Sequence, residues 1–141
     1  MIRVPEDLVT KYVGVPFKWG GRSIEEGLDC IGIVLEFLYD AGFRKYSDDA
    51  KPYDRGWWKS DPQRVVREVL SRGDIVTSIR ELQPYDVLLF KDGDVTKHLG
   101  VYLGYGKFLH TYTDKSGIGK LQSRWKDNFV AAVRPSRTTG L

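Results

Sequence analysis

The chain contains one cysteine, Cys30, and two histidines, His98 and His110. These are the side chains best suited to nucleophilic and acid–base chemistry near neutral pH. Cys30 follows Asp29 in the stretch EEGLDCIGIVLEFLYDAGF, where Ile31, Val34, Leu35 and Leu38 recur at helical spacing. That spacing predicts a helix with Asp29 as N-cap, Cys30 as first residue and Gly42 as stop. Unpaired N–H groups and the helix dipole favour an anion at such an end, so the expected thiol pKa lies below the free value of about 8.5. Burial against Trp19 would shift it the other way. A lone cysteine also has a plain reading as a small buried apolar side chain.

A cysteine nucleophile needs a base and a group that orients the base, and two histidines can supply both. The same three side chains form a conceivable zinc set. Metal motifs bring their ligands in close pairs, however, and spacings of 68 and 12 residues contain none.

His98 and His110 fall in adjacent predicted strands of KHLGVYLGYGKFLHTYT. Side chains alternate along a strand, so register decides whether the two imidazoles share a face. A two-residue turn at Tyr105 and Gly106 would oppose Val101 to His110 and put His98 on the other side. A three-residue loop, Leu103 to Tyr105, or a five-residue loop, Tyr102 to Gly106, would set His98 opposite His110. A shared site therefore predicts an odd-length loop.

The elements that must position these residues follow from pattern. Pro5 to Val13 reads as a first helix, stopped by Gly14, and VPFKWGGRSIEEG as a loop. A third helix is predicted from Pro62 to Arg72, with Asp61 as cap, Gly73 as stop and a core stripe of Val65, Val66, Val69 and Leu70; Lys59 and Arg64 fall on its surface. After Gly73 come the short β-type runs DIVTSI, DVLLF, HLGVYLG, KFLHTYT and FVAAV. Helices first and strands after predict an α+β fold with N-terminal helices packed on a small antiparallel sheet. Asp92 and Asp94 read as a turn, and Glu25 and Glu26 as solvated loop charge.

With 141 residues, 41% of them apolar, the chain can build one core, expected as a single domain over residues 1–141. One cysteine allows no internal disulfide. The net charge of +3 is mild, and it concentrates in a basic C-terminal segment from Asp114 to Leu141 that reads as a solvated tail. No nucleic-acid motif accompanies it. The N-terminus lacks the apolar stretch of a signal peptide, and no apolar run approaches about eighteen residues. The expectation is a chain made in the cytoplasm that does not span a membrane.

Four short stretches resemble the NlpC-type cysteine peptidases, a papain-like family that acts on cell-wall peptides. VGVPFKWGG is similar to its Tyr-x-Trp-Gly-Gly loop, LDCIG to its Asp-Cys-Ser-Gly motif, LQPYDVLLF to its Leu-x-Pro-Gly-Asp strand, and HLGVYLGYGKFLH to its His-x-Gly-x-Tyr-x-Gly strand pair. The resemblance implies Cys30 as nucleophile, His98 as general base and His110 as the residue that orients it. It implies hydrolysis of amide bonds in peptidoglycan stem peptides through a thioester, with Phe17, Trp19, Asp29 and Ile31 meeting substrate. Neither cofactor nor metal is implied, and the expected state is a monomer. Phe17 stands where a tyrosine is common, Ile31 where a serine is usual, and Tyr85 where a glycine precedes Asp86. The DCIG form and the bare N-terminus look more like phage-tail variants, with tail proteins as partners and delivery by a virion. Two other readings stay open: a silent wall-binding or tail-assembly module, with Tyr53, Trp57 and Trp58 as a contact patch, and another thiol amidase or acyltransferase on the same scaffold.

Overall fold

The computed structural model describes residues 3–43 and 56–136; Tyr53 of the expected aromatic patch lies outside them. Helix α1 (Glu6–Tyr12) begins after Pro5, whose φ of −60° suits the cap, and carries Glu6 and Asp7 in its first turn. Two short strands, β1 (Arg22–Ser23) and β2 (Gly27–Leu28), pair antiparallel within the expected loop. Helix α2 (Cys30–Asp40) follows, starting where the apolar spacing predicted.

The third helix divides in two. A single turn, α3 (Trp57–Ser60), precedes α4 (Arg64–Leu70). Asp61 does not cap α4. It ends α3, and its carboxylate is taken by Arg67 at 2.6 Å.

Strand β3 (Gly73–Val76) and a 3₁₀ turn (Ile79–Glu81) lead to β4 (Val87–Asp92), β5 (Val95–Gly104), β6 (Lys107–Tyr112) and β7 (Lys115–Lys120). A one-turn helix, α5 (Arg124–Asp127), connects to β8 (Phe129–Pro135). The six-stranded sheet has the order β3-β8-β4-β5-β6-β7, with every pair antiparallel.

Two further features depart from expectation. Strand β7 was not predicted, because KSGIGK offers two glycines and one large apolar residue; it survives as an edge strand paired along its length to β6. The basic C-terminal segment is not a solvated tail through its described length. It supplies β7, α5 and β8, and β8 lies between β3 and β4 with Ala132 and Val133 buried.

The sheet buries both faces. Ile33, Val34, Phe37 and Leu38 of α2 pack on one face against Val87, Leu89, Leu99, Val101 and Leu109. The opposite face holds Leu88, Phe90, Phe108 and Ala132, covered in part by Trp125 from α5. Strict alternation along β4, β5 and β6 sorts these residues. Arg134 of β8 clamps the buried Asp86 carboxylate through Nε and Nη2, at 2.9 and 3.0 Å. No helix among the described residues is long and apolar enough to cross a membrane.

Candidate active site

The start of α2 is fixed by Asp29, which is 3% exposed. One carboxylate oxygen accepts from the Gly32 N–H and from Arg22 Nη1, both at 2.8 Å, and the other from the Gly20 N–H at 2.9 Å. The capping role expected of Asp29 therefore holds, and both oxygens tie the Gly20–Arg22 loop to the helix. Gly32 is required by the same closure, since a Cβ there would run into the Gly21 carbonyl.

Cys30 sits half-buried at this helix start, and its Sγ donates to the Lys97 carbonyl at 3.6 Å. Burial, and after it the charge of Asp29, pushes the thiol up to about 12, against opposing help from the Leu99 N–H, Arg22 and its own N–H. The expected depression of the thiol pKa is thus reversed. Desolvation penalises the thiolate more than the helix end favours it.

The two histidines meet by a route that the loop-length expectation missed. The turn between β5 and β6 has two residues, Tyr105 and Gly106, with φ of 53° and 73° suited to a tight hairpin, and Gly104 pairs with Lys107. That register alone would separate the imidazoles. A bulge at Leu103 restores the parity, so that Val101 faces Leu109 and Tyr102 faces Phe108. His98 Nε2 and His110 Nδ1 then lie 2.8 Å apart, leaving His98 Nδ1 as its other ring nitrogen. Trp125 stacks on His98 with centroids 5.0 Å apart and planes 28° apart. Burial, then His110 and Arg124, lowers His98 to about 3; burial, then Arg124, lowers His110 to about 4. Both imidazoles are neutral at pH 7.

A cleft of about 220 Å³ opens over these groups. Cys30 and His98 line it together with Phe17, Trp19, Asp29 and Ile31. His110 stands behind His98, reaching the cleft through it. Trp57, Trp58, Asp92, Lys97 and Tyr112 are among the other residues of its walls. Sequence reasoning did not single out Lys97, Tyr112 or Trp125. Lys97 and Tyr112 neighbour residues already flagged, which was the available signal, whereas Trp125 belongs to a helix of four residues too short to leave a period.

The NlpC/P60 family model matches residues 14–134. The chain is 29% identical over 123 residues to the probable peptidoglycan endopeptidase LytE of Bacillus subtilis (strain 168), covering 86% of this chain and 31% of LytE. It is 24% identical over 135 residues to the murein DD-endopeptidase MepH of Escherichia coli (strain K12), covering 94% and 45%. It therefore spans less than half the length of either relative. The crystal structure of the NlpC/p60 domain of the peptidoglycan hydrolase SagA superposes with a TM-score of 0.59 at 24% identity, covering 91% of this chain and 93% of that one. RipD from Mycobacterium tuberculosis, described as a non-catalytic NlpC/p60 domain protein adapted to peptidoglycan binding, superposes with a TM-score of 0.54 at 19% identity, covering 91% and 95%. At these identities the two structures share the fold.

Proposed function

This chain belongs to the NlpC/P60 family, and from that premise we propose that it is a cysteine peptidase hydrolysing an amide bond in the stem peptides of bacterial peptidoglycan. The observation that carries the reading is the 2.8 Å contact between His98 and His110, made at a cleft that Cys30 also lines.

In this reading Cys30 is the nucleophile, His98 the base and His110 the orienting residue. The His98 Nε2–H donates to His110 Nδ1, so His98 Nδ1 carries the lone pair that takes the thiol proton. A neutral thiol beside a neutral imidazole implies that proton transfer accompanies attack instead of preceding it. The sulfur turns from the Lys97 carbonyl and bonds to the scissile carbonyl carbon. Backbone N–H groups in the first turn of α2 stabilise the oxyanion. The C–N bond breaks as the leaving amine takes the proton from His98, which leaves a thioester. Water then gives His98 a proton and attacks the thioester, and the acid product departs as the thiol is restored.

Purified protein incubated with peptidoglycan should release new peptide amines, and Cys30→Ala should abolish the release. Equal release by the variant would sink the proposal. A second reading, wall binding without turnover, draws on the raised thiol pKa and the hydrogen bond to Lys97. It predicts peptidoglycan binding by the wild type with no new amines.

A further inference from the structure

We propose that Lys97 anchors a carboxylate of the substrate, so that the cleft selects peptides bearing one close to the scissile bond; this rests on the reading of the cleft as a peptide site. Phe90 pairs with His98 and Lys91 with Thr96, which leaves Lys97 as the extra residue of a bulge. Bulges re-aim side chains, and they recur beside active sites for that reason. Here one residue carries two groups to the site: its carbonyl receives the Cys30 thiol, and its ammonium lies against Trp58 of the cleft wall.

The ammonium is held there. Lys97 Nζ lies 3.6 Å from the ring centroid of Trp58, and the side chain is only 23% exposed, low for a lysine. Its ionic partner is weak, since Asp92 Oδ2 is 3.8 Å away on a side chain 57% exposed. A substrate carboxylate can take that place without leaving an uncompensated buried charge. Of the two carboxylates in the described cleft lining, Asp92 is the distant partner just named, and Asp29 already holds Arg22 and two backbone donors. Among the described residues that line the cleft, Lys97 is the cation, set between the aromatic side chains of Phe17, Trp19, Trp57, Trp58 and Tyr112. A single ammonium with Asp92 nearby suits a monoanion and disfavours a dianion such as phosphate.

The test uses two synthetic stem peptides that differ only in the α-carboxyl of the glutamyl residue, free in one and a carboxamide in the other. Binding is measured by calorimetry to Cys30→Ala protein, which removes turnover. The free acid should bind about tenfold more tightly. Adding Lys97→Met should bring the ratio near one, and Lys97→Arg should retain the preference. Equal binding of both peptides to the Cys30→Ala protein, no binding of either, or a preference that survives Lys97→Met overturns the anchor. Cleavage by the wild type is read separately: a retained binding preference with no cleavage of either peptide would sink the hydrolase reading and leave the anchor standing.

Discussion

The α-carbon of Gly119 in β7 lies so close to the ring of His110 that a Cβ there would come within 3.0 Å of Nε2, and within 2.7 Å of Cζ of Phe108. The edge strand thus limits how far the His110 imidazole can turn. Gly119→Ala should cost about 1–3 kcal/mol by overpacking and lower kcat about tenfold by displacing His110, with KM little changed. Gly117→Ala, where a Cβ meets nothing within 4 Å, is the control. Equal activity in the two variants would show that β7 does not govern the imidazole.

Chemical reactivity of the thiol gives a second prediction. With Cys30 pushed up to about 12 by burial, alkylation by iodoacetamide in the absence of substrate should be slow at pH 7 and keep rising through pH 9. Intact mass gives an unambiguous reading, because the chain has a single cysteine. A rate that levels off below pH 8 would instead indicate a preformed thiolate.

Acid should weaken the fold through the histidine pair. Both titrate near 6.5 in the unfolded chain but are lowered to about 3 and about 4 in the folded one. Between pH 6.5 and 4 the unfolded state binds protons that the folded state does not, so stability falls as pH falls. The slope reaches roughly 1.4 kcal/mol per pH unit for each proton. Urea denaturation across that range, compared with a His98→Gln/His110→Gln variant, isolates the contribution; parallel curves would contradict it.

The orienting role proposed for His110 separates from mere bulk by the choice of replacement. His110→Asn retains an acceptor for His98 Nε2–H and should lose about tenfold in kcat, whereas His110→Leu should lose about a hundredfold or more. Steady-state kinetics on a peptide substrate reads the difference, and equal losses would remove the hydrogen bond from the mechanism.

The clamp on Asp86 is a stability feature at a distance from the cleft. Asp86 is 1% exposed and the Arg134 side chain 34% exposed, so removing the arginine strands a buried carboxylate. Arg134→Met should destabilise by about 2–3 kcal/mol, discounted from the cost of a fully buried pair. Thermal denaturation checks this, and an unchanged midpoint would show that the Gln83 N–H, 2.8 Å from Asp86 Oδ2, suffices.

The sequence made some of this legible and hid the rest for physical reasons. Helix α2 was readable because capping and apolar spacing agree from Asp29 to Gly42. The strands from Val87 to Tyr112 were readable because β-branched and aromatic residues cluster between turns. Strand β7 was hidden by its glycines, one of which, Gly119, makes room for His110. The meeting of His98 and His110 was foreseen, but by the wrong device, since a bulge leaves no signature in residue types. The direction of the thiol pKa was left between two opposed effects because a helix end is visible in sequence, whereas the burial that outweighs it depends on tertiary packing.

The hairpin between β5 and β6 also constrains how this protein can be recombined or can drift. Its tight turn and the extra residue at Leu103 cancel each other, so the segment joining the two imidazoles obeys an even–odd rule. Deleting Leu103 alone would turn one histidine toward the helical layer and silence the site while leaving a sheet that still pairs. Removing Leu103 and lengthening the turn by one residue would return both to the same side. Between His98 and His110, lengths that differ by two are interchangeable, and a single-residue change is not a small one.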